Sequence, residues 1–112
     1  MTLRKLLLLT LLLAAPASAQ TTIKWIPLSN GQYAVALTVS TALTIPGQAV
    51  YAIVCAETQG LRYTVDGSTP TAALGMPLAS GSCVALQGEG TLAAFRAIAQ
   101  TAGATMDVSY FK

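Results

Sequence analysis

Histidine is missing from this chain altogether, and charge nearly so: 9% of the 112 residues are Asp, Glu, Lys or Arg. Without imidazole there is no Ser-His-Asp relay and no base to activate a cysteine nucleophile. Zinc held by Cys and His is excluded as well, because two thiols alone leave the metal's ligand set incomplete. The acids are Glu57, Asp66, Glu89 and Asp107. Glycoside hydrolysis would need two of them within about 10 Å across a cleft, and their spacing along the chain suggests no such pair. A domain this small also offers little room for a deep pocket. The expectation is a non-enzymatic protein without cofactor or metal. Aromatic residues are sparse too, at 6% with one Trp, so each exposed one becomes a candidate contact.

Basic residues are few, and two of them sit at the start, in "MTLRKLLLLTLLLAAPASAQ". Arg4 and Lys5 form a charged n-region, residues 6–13 are apolar apart from Thr10, and Ala17-Ser18-Ala19 supplies the small-x-small pattern of a signal-peptidase site. The apolar run falls short of the roughly 20 residues a bilayer core requires. We therefore expect a signal peptide over 1–19, export to the periplasm or medium, and no membrane span after cleavage. An uncleaved anchor or a buried N-terminal helix is the alternative. No cysteine follows the cleavage site, which disfavours a lipoprotein anchor. Downstream, Lys24, Arg62, Arg96 and Lys112 balance the four acids. No basic stripe is left to neutralise phosphates, so nucleic acid is not an expected partner. A low-charge surface suits self-association or a protein partner.

The remaining chain suffices for one core. Residues 20–31 read as an N-terminal arm and 32–112 as a single domain. Residues 33–39 alternate large and small, predicting a half-buried strand with Tyr33, Val35, Leu37 and Val39 on its inner face. "IPGQ" (45–48) reads as a turn, and 50–56 is apolar on both faces, as in a central strand. Leu61, Tyr63 and Val65 alternate with Arg62 and Thr64, and Met106, Val108 and Tyr110 alternate with Asp107, Ser109 and Phe111. Residues 83–86 and 92–99 read as two more strands. The alanine-rich "LAAFRAIAQ" leaves helix as the rival over 92–100, and close-lying glycines favour strand. Turn signals recur throughout, predicting an all-β fold: a small antiparallel β-sandwich or barrel of about six to eight strands.

Cys55 and Cys83 each fall in an expected strand, and in an exported product they are candidates for a disulfide. Two independent buried thiols are the alternative. In "VDGSTPT", Asp66, Gly67 and Pro70 read as an Asx-type turn: the carboxylate bonds the backbone ahead, glycine takes positive φ, and proline limits further pairing. A calcium loop is the rival, but a single carboxylate makes a weak site. Trp25, in "IKWIPL", is either a docking arm or a plug over one end of the core. Phe111 lies opposite Tyr110 on its strand and is a candidate subunit contact.

These blocks occur in an order that resembles a family of small bacteriophage and prophage virion-associated proteins. The matching positions are Ala56-Glu57, Arg62-Tyr63, the loop 66–71, Gly75-Met76-Pro77-Leu78 and 103–111. The resemblance covers about residue 48 to the C-terminus. It implies a β-sandwich decoration or accessory component of heads or tails, with no catalytic residues to carry over. The leader and the two cysteines depart from that pattern and point to an exported relative. A shorter stretch, 62–71 with 95–99, is similar to the immunoglobulin-like module of chitobiases and other carbohydrate-active enzymes. That resemblance implies a secreted carbohydrate-associated module with a cell-surface glycan as partner; Tyr63, within the matched stretch, and Trp25, outside it, are the candidate contacts to test.

Overall fold

A computed structural model provides the three-dimensional structure, and it describes residues 23–112. The expected leader lies outside the described residues. The fold is all-β, with one short helix. In chain order the elements are β1 (Gln32–Ala36), β2 (Thr41–Ala42), β3 (Tyr51–Glu57), β4 (Leu61–Thr64), β5 (Met76–Leu78), β6 (Cys83–Gln87), α1 (Glu89–Ala94), β7 (Arg96–Ala99) and β8 (Thr105–Phe111). They form two antiparallel four-stranded sheets, ordered β1-β8-β3-β6 and β2-β7-β4-β5. The arrangement is a sandwich rather than a closed barrel. Among the described residues no helix is long and apolar enough to cross a membrane.

The core lies between the sheets, and period-2 patterning explains most of it. In the centre of the first sheet, Ala52, Val54 and Ala56 of β3 face inward beside Met106, Val108 and Tyr110 of β8. The second sheet answers with Leu61 and Tyr63 of β4, Leu78 of β5 and Ala97 of β7. Small residues on one strand thus accommodate large ones on the next, as close packing demands. Tyr110 is fully buried, and its hydroxyl donates to Gln32 Oε1, which also accepts the Thr44 N–H at 3.1 Å. That oxygen ties β8, β1 and the loop after β2 together.

Burial pushes the Tyr110 phenol up from its ordinary 10.0 to about 12. The folded state therefore holds this proton more tightly than the unfolded chain. The stability it contributes is whole below pH 10, declines as the pH rises, and is lost above about 12. Urea midpoints taken between pH 9 and 12 should fall by the equivalent of up to about 2 kcal/mol. Tyr110→Phe should flatten that decline, at a cost of about 1 kcal/mol near neutrality for the lost hydrogen bond.

Two expected strands are corrected. Over 33–39 the alternation breaks at a bulge: Gln32 pairs with Val108 and Val35 with Met106, so Tyr33 and Ala34 together oppose one residue of β8. Ala34 takes a φ of +53°, and its N–H goes to Asp107 Oδ1 at 2.8 Å instead of to the ladder. The bulge shifts the phase, leaving Tyr33 69% exposed. After Ala36 the chain crosses to the second sheet, where Leu37 O accepts Ala99 N–H at 2.9 Å. Leu37 is buried at this crossing, and Val39 points to solvent at 66% exposure.

The second correction concerns 92–99, expected as one strand. Gly88, at φ +93°, ends β6; α1 follows, and only Arg96–Ala99 pairs as a strand. Alanine favours the helical turn, and Leu92 is buried from it. The helix stops at Phe95, whose backbone is already extended (φ −66°, ψ 134°) while its N–H still reaches Leu92 O. One composition therefore serves two conformations across a single residue.

Candidate functional site

Strand β4 leaves the second sheet after Thr64, and the loop that follows folds back over that sheet. Its hydrogen bonds close on themselves. Ser68 N–H and Oγ–H both donate to Asp66 Oδ1, at 3.1 and 2.6 Å, and Thr64 Oγ–H donates to Ser68 O at 2.7 Å. The Ser68 hydroxyl, then its N–H, holds the Asp66 carboxyl below the usual carboxylate range. Gly67, at φ +81°, sends its N–H to Ala94 O at 3.1 Å, tying the loop to the end of α1. Pro70 is fully buried, and Thr71 Oγ accepts the N–H groups of Ala73 and Leu74. Arg62 closes the unit by donating from Nη1 to Gly75 O at 3.0 Å.

Every polar member of "RYTVDGSTPTAALG" that makes a side-chain bond here makes it within the loop or to its own base. Asp66, Gly67 and Pro70 thus have the geometry of a corner. Gly75 is the point of closest approach. Its φ is +124°, and an added Cβ would stand 3.0 Å from Tyr63 O and 3.4 Å from both Arg62 Cβ and Pro70 Cβ. Gly75→Ala should cost about 1–3 kcal/mol through backbone strain alone. The thermal midpoint reports this, and at the open Gly90 the same substitution, with nothing within 4 Å of its Cβ, serves as the comparison.

Tyr63 requires a correction. It is 8% exposed, faces the core, and stacks on Phe95 with ring centroids 5.7 Å apart. It therefore serves the core and offers little contact surface.

Trp25 and Phe111 do come together, on the outer face of the first sheet. Tyr51 and Phe111 are directly opposed across β3 and β8, edge to face at 5.5 Å. Trp25 stacks on Tyr51 with centroids 4.5 Å apart and planes 18° from parallel. The arm carrying Trp25 is held by backbone bonds: Ile26 and Lys112 exchange N–H···O contacts at 3.0 and 2.9 Å, and Leu28 N–H donates to Tyr110 O at 2.8 Å. Trp25 thus lies against the outside of the sheet instead of over an end of the core. It remains 39% exposed beside Ile23 and Ile26, which are more exposed still. Sequence reasoning missed Tyr51. Its place in a strand apolar on both faces concealed that the odd positions turn outward.

The same face carries two further groups. Cys55 and Cys83 are opposed across β3 and β6, with Cα atoms 4.0 Å apart, and are bridged. Glu57 and Asp107 also meet, which their separation in sequence did not suggest. Hydrogen bonding to Asp107, then its negative charge, raises the Glu57 carboxyl above its ordinary 4.5. Asp107 is already engaged by the bulge N–H of Ala34, and Glu57 is exposed. No apolar enclosure tunes Glu57 toward acid–base work.

At one end of the sandwich a recess of about 440 Å³ is lined by Leu37, Ala72, Ile98, Gln100, Ala104 and Thr105 among others. Its walls are mostly apolar, with Gln100 and two threonines among them and no charged side chain. Compared with family models, curated proteins and solved structures, the chain matches none.

Proposed function

We propose that this protein is a non-enzymatic, phage-like structural or accessory component, exported, that works in assembly or surface attachment. The observation that carries the reading is the Trp25–Tyr51–Phe111 group, a half-exposed aromatic surface set on a backbone-bonded arm and a rigid sheet. Exposed apolar area built on fixed elements is the usual form of a protein contact, and Trp and Tyr are frequent anchors there. The polar residues of the 62–75 loop are engaged within the fold. The cysteine bridge and the lack of a spanning helix among the described residues are compatible with export.

A second reading, a carbohydrate-associated module, is favoured by the near-parallel Trp25–Tyr51 stack. An exposed indole face suits a sugar ring. Pull-down on chitin, cellulose and peptidoglycan, set beside binding to cells and phage particles, separates the two. The assembly reading expects capture by cells or particles that drops at least about tenfold in Trp25→Ala, as for an interface anchor. Retention on a polysaccharide, lost in the same variant, would transfer the protein to the second class.

A further inference from the structure

The two sheets have four edges, and three are blunted. β1 carries the bulge at Tyr33 and Ala34, β2 is two residues long, and β5 is three residues long with Pro77 at its centre. These are the devices by which soluble proteins prevent strand-to-strand pairing. β6 has none of them. It is five residues of regular register, "CVALQ", without charge or proline, tied to β3 at one end by the disulfide.

Its free hydrogen-bonding groups can be assigned. In an antiparallel ladder alternate residues turn both backbone groups to the same side. Gly88 N–H donates to Val50 O at 2.7 Å, and Ala56 N–H donates to Ser82 O at 2.9 Å. The even positions, Val84 and Leu86 among them, therefore face β3. Cys83, Ala85 and Gln87 direct N–H and C=O outward, and all three are exposed. No bond from their backbone groups to another described residue is present.

We propose that β6 is a dimerisation edge, pairing antiparallel with β6 of a second copy about a two-fold axis at Ala85. The assembly reading is deepened by this, since it names the partner, and the contact is the strand edge itself, although Gln87 on that edge opposes Tyr51, on which Trp25 stacks. The register is self-complementary. Ala85 meets Ala85, Cys83 meets Gln87, and all three outward residues exchange their backbone bonds. Glu89 then falls opposite Gly81, so no like charges meet. The side chains along the seam are uncharged, with the small Ala85 on the axis, and the two first sheets become one continuous sheet. An isologous pairing of this kind closes on itself and consumes the edge.

Light scattering on the protein recovered from expression of the full chain, its N-terminus read by intact mass, tests the pairing together with amide hydrogen exchange. A concentration-dependent dimer is expected, in which the Cys83, Ala85 and Gln87 amides slow at least about tenfold relative to dilute protein. Ala85→Pro removes an outward N–H and leaves the ladder to β3 intact, so it should be monomeric with an unchanged near-ultraviolet circular dichroism spectrum. Ala85→Lys, which puts a charge on the axis, should also be monomeric and covers the case in which proline disturbs the strand. A dimer that survives both substitutions but dissociates in Trp25→Ala overturns the β6 edge and leaves the assembly reading standing. A monomer at every concentration, or fast exchange at Ala85 throughout, also overturns it.

Discussion

Replacing Phe95 with alanine should destabilise the protein by about 3–5 kcal/mol, the range for deleting a buried aromatic ring. Phe95 is fully buried at the joint where α1 becomes β7, and its ring stacks on Tyr63. Leu92 reaches the same core from the helix and Ala97 from the strand. Neither alanine nor glycine nearby can expand to fill the space, so a cavity remains and its lining loses contacts outright. A domain of this size typically has total stability within a few-fold of that loss, and much of the protein should be unfolded at 37 °C. Phe95→Leu retains most of the volume and should cost about 1–2 kcal/mol. Urea denaturation of both variants checks the ordering. Equal, small losses would mean that the 88–95 segment is not seated in the core.

Reducing the Cys55–Cys83 bridge should cost nearly as much. The two cysteines are 28 residues apart, and closing a loop of that size removes unfolded-state entropy worth roughly 3–4 kcal/mol. For a domain in this size range that corresponds to a fall in thermal midpoint on the order of 15–25 °C. Cys83 is exposed, so a small thiol can reach its sulfur without prior unfolding. The Cys55→Ser, Cys83→Ser double variant should unfold near the midpoint of the reduced protein. Intact mass before and after reductant confirms that the bridge was present. A midpoint indifferent to reduction would show that the ladder between β3 and β6 needs no covalent support.

The strands that carry the core were legible wherever alternation ran uninterrupted. Met106, Val108 and Tyr110 of β8 and Leu61 and Tyr63 of β4 are buried as their period requires, whereas Val65, next in the same alternation, lies beyond the end of β4 and is 40% exposed. In 33–39 the same kind of pattern misled, because a side chain from β8, Asp107, takes the N–H that would have continued the ladder. In 92–99 the composition was consistent with helix and strand alike. The outcome was decided by where Leu92 and Phe95 could be buried, a tertiary matter. The outer-face groups were hidden for a related reason. Tyr51, Phe111, Glu57 and Asp107 meet only through the pairing of β3 with β8, and Trp25 joins them only because the arm is bonded to the end of β8.

By itself the sequence determined the all-β class, most inward-facing residues and the corner at Asp66-Gly67. Each of these rests on local chemistry: side-chain period, conformational freedom, and a short carboxylate within reach of the next N–H. The tertiary structure alone decided the bulge, the split of 92–99 into helix and strand, the aromatic surface and the unguarded edge of β6. Those follow from which strands lie side by side and in what register. Pairings between residues far apart in the chain leave no mark in any one short stretch of it.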